Sequence, residues 1–102
     1  MPHRYYVYAV QLDPAAARHA ADQALVRQGA DVYYVGQTGL DDTRRLQAHF
    51  RGGGKSNGSV RRWARRVAGH VGPFTTRTEA ERRERAWARR IRKLGHVVIG
   101  GH

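Results

Sequence analysis

The chain has 102 residues, 40% of them apolar, and a formal net charge of +11. That length supports one modest core, hence a single domain over residues 1–102, and the absence of cysteine excludes disulfides and thiolate zinc sites. No apolar run approaches the ~20 residues that cross a bilayer and no charged-then-apolar leader opens the chain, so a cytoplasmic protein without a membrane role is expected.

"RYYVYAVQL", residues 4–12, is rich in aromatic and β-branched residues and predicts a strand. Tyr6, Tyr8, Val10 and Leu12 fall on one face, and Val7, Ala9 and Gln11 on the other. "DPAAARHAADQALVRQG" then predicts an alanine-rich helix with Asp13 as N-cap, Pro14 at its first position and Gly29 past its end. "DVYYVG", residues 31–36, is a second strand, the simplest antiparallel neighbour of the first. It sets Val32 and Tyr34 on one face, Tyr33 and Val35 on the other.

A helix is expected from about Asp41 to Arg51, with Leu46 and Phe50 inward and Arg45 and His49 forming a stripe beside them. "RGGGKSNG" stops it and predicts a mobile loop; its glycines lack the spacing of a phosphate-binding loop. "SVRRWARRV" places Val60, Trp63, Ala64 and Val67 at helical spacing, with Arg61, Arg62, Arg65 and Arg66 outside. Residues 69–74 are a candidate third strand. A last long helix is bounded by Thr78, boxed with Glu81, and by Gly95. "HVVIGG" is a short terminal strand or edge segment.

The charge changes along this order. Residues 1–36 carry Arg4, Arg18 and Arg27 against Asp13, Asp22 and Asp31, so the entire net charge falls in residues 37–102. Codon bias would spread arginine evenly. A basic C-terminal two-thirds points to a polyanion, most simply nucleic acid. The basic stretches lack the broad apolar face that an interfacial membrane helix needs.

One residue contradicts its surroundings. The inward stripe of the last helix reads Ala80, Glu84, Trp87, Ala88, Ile91, Leu94, five apolar residues and a carboxylate. A buried carboxylate needs a partner or a metal. Either an arginine salt bridge at the core edge or a metal-binding or catalytic role answers that need. Glu79 and Glu81 need neither, since they suit the helix N-terminus. Taken singly, the tyrosines read as core or rim and the Arg45/His49 stripe as a solvated face. The remaining histidines have no ligand-like spacing.

Taken together, "YVYAV", "YYVGQT", "RLQAHF" and "EAERRERAW", in that order, resemble the GIY-YIG nuclease family over roughly residues 5–95. The resemblance implies an α/β (α+β) fold, a small three-stranded, mostly antiparallel sheet flanked by helices. It implies Tyr8 and Tyr34, with Gly36, as the two motif tyrosines, Arg45 as the catalytic arginine, His49 as its companion and Glu84 as ligand of one Mg²⁺ or Mn²⁺ ion. Gln37 stands where some members carry lysine. The implied chemistry is metal-dependent phosphodiester hydrolysis. Tyr34 serves as general base once the metal and its cationic surroundings lower its pKa, Tyr8 orients the water or shares that role, Arg45 clamps a phosphate oxygen and His49 holds the leaving group or a phosphate oxygen.

DNA is the expected partner, with RNA open, and Lys55, Arg61, Arg62, Arg65 and Arg66, together with the arginines of 82–92, are the expected phosphate contacts. The catalytic module uses nearly the whole chain, so low sequence specificity or a preference for nucleic-acid structure follows. Double-strand cutting would call for a homodimer. Two further readings stay open: a non-catalytic nucleic-acid-binding protein of the same fold, and a ribosome-associated basic protein in which an arginine neutralises Glu84.

Overall fold

The computed structural model describes residues 4–51 and 62–99. The order of elements is strand β1 (Tyr5–Leu12), a 3₁₀ turn (Pro14–Ala16), helix α1 (Ala20–Arg27), strand β2 (Val32–Thr38), helix α2 (Thr43–Arg51), strand β3 (Ala64–Phe74), helix α3 (Arg77–Lys93) and strand β4 (Val97–Ile99). The strands form one sheet in the order β3-β1-β2-β4. β1 runs antiparallel to both β2 and β3, whereas β4 joins β2 in parallel. The α+β class agrees with the sequence reading, but the sheet has four strands and is mixed. The terminal "HVVI" pairs with β2 because α3 returns the chain to that edge, and its valines are buried there.

The alternation within β1 and β2 sorts the core into two halves. Tyr8, Val10, Leu12 and Val32 meet Leu46 and Phe50 of α2 on one face, with Leu25 and Val26 of α1 packed against them. Val7, Ala9, Val35 and Val98 meet Ala80, Ala88 and Ile91 of α3 on the other. Each face of the sheet is therefore covered, which is why β1 is buried along most of its length.

Four sequence expectations are corrected. The alanine-rich helix divides: Asp13 caps only the 3₁₀ turn, accepting from the Ala15 amide at 2.9 Å, and the chain is extended at Ala17 before α1 begins. Burial of Ala16 and Ala17 against the sheet holds the chain there.

Arg62 and Trp63 are helical as expected, but the chain passes into a strand at Ala64, so the apolar spacing of 64–67 does not belong to a helix. Leu12 pairs with Ala64 and Gln11 with Arg66, while Val10 pairs with Val67 and Ala9 with Gly69, so Arg65 and Ala68 are extra residues at bulges. A bulge turns the strand period of two into a local spacing of three, which imitates a helix. The expected helix residues 59–61 lie outside the described residues, as do the loop at 52–58, Lys55 and Arg61.

Helix α3 starts two residues earlier than expected. Thr76, not Thr78, is the N-cap, accepting from the Glu79 amide at 3.2 Å, because two T-x-x-E boxes overlap here and the upstream one directly follows β3. Leu94 is 70% exposed: it is the C-cap, beyond the last full turn, and Gly95 at φ +92° turns the chain away.

Candidate active site

Tyr8 and Tyr34 lie on adjacent strands and on the α2 face of the sheet, their ring centroids 6.2 Å apart. Phe50 of α2 closes over Tyr8 at 5.4 Å, and His49 stands edge-on to Phe50 at 5.6 Å. Directly opposite Tyr8 on β2 is Gly36. A Cβ at Gly36 would fall 2.7 Å from the Tyr8 hydroxyl and 2.8 Å from Cε1 of Tyr34. The glycine is therefore required by the two phenols, which occupy the volume of its missing side chain.

Glu84 comes from the other side of the sheet. It is half-buried on α3, where its Oε2 accepts from Nε2 of Gln37 at 2.7 Å. Gln37 shares the α3 face because it follows Gly36 on β2. The carboxylate charge nevertheless acts on both phenols. Burial first, then Tyr34 and Glu84, pushes the Tyr8 phenol far above the ordinary tyrosine range. Burial first, then Glu84, also raises Tyr34. In the protein alone, then, Tyr34 keeps its proton more tightly than a free tyrosine. This is opposite to the lowering expected with a cation bound, because Glu84 supplies a negative field and burial disfavours the phenolate.

Tyr33 takes the other face, packs against the α3 half of the core and meets His96 edge-on at 5.8 Å. The sequence division of Tyr33 from Tyr34 thus holds.

Arg45 is on the outer side of α2, its side chain 65% exposed and 3.7 Å from Asp41 in an i, i+4 ion pair. Its ion pair is with Asp41, just ahead of its own helix, not with Glu84. Such an exposed pair contributes only about 0–1 kcal/mol, so the guanidinium can exchange Asp41 for a phosphate at little cost.

Among the expected phosphate contacts, Arg65 bonds Asp13 at 3.1 Å, Arg66 bonds Gln11 at 2.9 Å and Arg62 lies over the Trp63 ring at 4.9 Å. Arg62, Arg65 and Arg66 remain exposed.

Three residues of this region were not singled out as functional by the sequence. Gln37 fixes the Glu84 carboxylate, and strand alternation already put it on the α3 side. His70 pairs with Tyr8 on β3, stacks on Tyr6 at 5.1 Å, and ties the Leu40 carbonyl (2.8 Å) and Thr43 hydroxyl (3.3 Å) ahead of α2. Gln47 accepts from the Val67 amide at 2.8 Å beside the β3 bulge. His70 and Gln47 together set the position of α2, and hence of His49 and Phe50. Neither carries a local sequence signal, since both act across long separations.

A cation held here would rely on Glu84, because no group of three or more His, Cys, Asp or Glu that could cage a metal occurs among the described residues. One carboxylate, completed by waters and substrate phosphate, is a donor set that suits Mg²⁺. Among the described residues no helix is long and apolar enough to cross a membrane. No family model, curated protein or solved structure matches the chain.

Proposed function

We propose that the chain is a divalent-metal-dependent endonuclease that hydrolyses DNA phosphodiester bonds with low sequence specificity or a structural preference. The single observation that carries this reading is that Glu84, although on the opposite face of the sheet, lies within electrostatic reach of both Tyr8 and Tyr34. Residues from two strands and the last helix are close enough for one carboxylate charge to raise both phenols. The ordered resemblance to the GIY-YIG family, in the sequence alone, supports the same assignment.

In this reading Glu84, oriented by Gln37, holds one Mg²⁺ or Mn²⁺. An ion held there would supply positive charge near the phosphate and offset the Glu84 field on the phenols. Tyr34 Oη takes the proton of the attacking water as the phosphorus–oxygen bond to the leaving group breaks. Tyr8, held between Tyr34 and Phe50, orients that water. Arg45 leaves Asp41 to clamp a non-bridging oxygen with its planar fork. His49 holds the leaving group or a phosphate oxygen, and the leaving oxygen takes its proton from solvent. A non-catalytic nucleic-acid-binding protein is the second reading, and the raised Tyr34 phenol favours it until the Glu84 charge is offset.

The test is nicking of supercoiled plasmid with Mg²⁺ or Mn²⁺ and with EDTA. Metal-dependent nicking should fall by about 10²-fold or more in folded Tyr34→Phe and Glu84→Ala proteins. Salt-sensitive plasmid binding by wild type, with no nicking in either metal, favours the second reading.

A further inference from the structure

Helix α3 carries a second feature on the side toward β3. Arg83, Trp87 and Arg90 recur at i, i+4 and i+7, and with Ala86 and Val71 they line a groove of about 260 Å³. The indole lies on the strand at Gly69, where a Cβ would approach Cη2 and Cζ2 of Trp87 to 2.6 Å. Gly69 thus lets a large ring rest directly on the backbone of β3. Trp87 is half-buried and lines the groove.

Arg83 and Arg90 are exposed, and the three ion pairs among the described residues use Arg45, Arg65 and Arg77 instead. Packing accounts for part of Trp87, which lies with Val71 against the α3 half of the core, but not for the exposed Arg83 and Arg90 on either side of it. Two uncommitted guanidiniums flanking the indole, about 10 Å apart along the helix axis, gain nothing from each other. They do complement a chain that alternates an aromatic base with an anionic phosphate.

We propose that this groove binds an unpaired nucleotide, with the base stacked on Trp87 and its flanking phosphates at Arg83 and Arg90. Stacking platforms between cationic side chains are how single strands are held without sequence preference. In a duplex the base faces are occupied by neighbouring bases, and a groove of this volume admits one ring system, not a double helix. Arg83 and Glu84 are consecutive on α3, so a strand seated in the groove passes close to the candidate metal-binding carboxylate. The inference rests on the nuclease reading for that consequence. The substrate class is then nucleic acid with a single-stranded segment next to the cut, such as a flap, overhang or loop.

The experiment uses the full chain with EDTA present, so binding is read apart from cleavage. Trp63→Phe leaves Trp87 as the sole indole, and its emission is titrated with oligo-dT, oligo-rU and a hairpin duplex of equal phosphate number. Quenching by either single strand at concentrations where the duplex is silent supports the groove, and the stronger strand identifies the sugar.

Binding of labelled single strand to otherwise wild-type protein is then compared with an Arg83→Gln/Arg90→Gln variant, whose changes lie on exposed side chains. The log–log salt slope should become shallower by about 1.4, for two phosphates on a single strand. Trp87→Leu, checked for folding by circular dichroism, should weaken single-strand binding on the order of 5-fold or more. Equal quenching by duplex, or an unchanged salt slope, overturns the proposal. If the groove fails while plasmid nicking persists, only this inference falls. If groove binding holds without nicking of any substrate, the nuclease reading falls instead.

Discussion

Gly36→Ala isolates the contact on which the candidate site is built. Its φ is not in the left-handed region, so alanine meets no backbone strain, and the perturbation is the methyl group alone. That methyl would come within 2.7 Å of the Tyr8 hydroxyl, 2.8 Å of Tyr34 Cε1 and 2.9 Å of Tyr8 Cζ. Tyr8 has little room to retreat, being 8% exposed and packed against Tyr34 and Phe50. Inserting a carbon into such packing costs about 1–3 kcal/mol. For a chain of this size that lowers the melting temperature by roughly 5–20 °C.

The assay pairs thermal unfolding with plasmid nicking. Displacement of both phenols by about 1 Å should reduce nicking on the order of 10²-fold. Gly39→Ala is the control: Gly39 is exposed, with nothing within 4 Å of the added carbon, and its stability should change by less than about 0.5 kcal/mol. Adding Tyr8→Phe to Gly36→Ala removes the nearest clash and should recover part of the loss in stability. A Gly36→Ala protein that melts and nicks like wild type would refute the placement of the two rings.

Tyr8 also predicts an alkaline limit. Its phenol holds its proton more tightly folded than unfolded, so the stabilisation is fully present below the ordinary value of 10.0. Above that pH the unfolded chain releases the proton first, and stability falls by about 1.4 kcal/mol per pH unit for this group. Denaturant titrations across that range should show a shallower fall for Tyr8→Phe; parallel curves would contradict the buried phenol. Glu84→Gln keeps an oxygen able to accept from Gln37 and removes the charge. The Tyr34 and Tyr8 phenols should then titrate at lower pH, read from the Cζ shifts of labelled tyrosine. Unchanged titrations would take Glu84 out of the site.

Much of this arrangement was legible in the order of residues. Alternation in "RYYVYAVQL" and "DVYYVG" assigned the faces of β1 and β2, because a strand has a fixed period of two and one wrong face would bury polar groups. The separation of Tyr33 from Tyr34 came from the same rule. Glu84 stood out because an apolar helical stripe does not tolerate a carboxylate without a reason. Local rules failed where tertiary contacts changed the period or moved the boundary. The bulged start of β3 looked helical, and the alanine-rich segment was divided by burial of Ala16 and Ala17.

The sequence by itself determined the strand faces, the glycine after the tyrosines, the charge imbalance and the odd carboxylate, all properties of spacing within one element. Only the tertiary structure decided that Gln37 holds Glu84, that His70 and Gln47 anchor α2, and that Trp87 rests on Gly69. It also decided that Arg45 rests on Asp41 and that both phenols are raised. The physical reason is range. Periodicity and capping act over a few residues, whereas a hydrogen bond across a sheet, a ring over a bare backbone and the field of one carboxylate depend on distances set only when the elements pack.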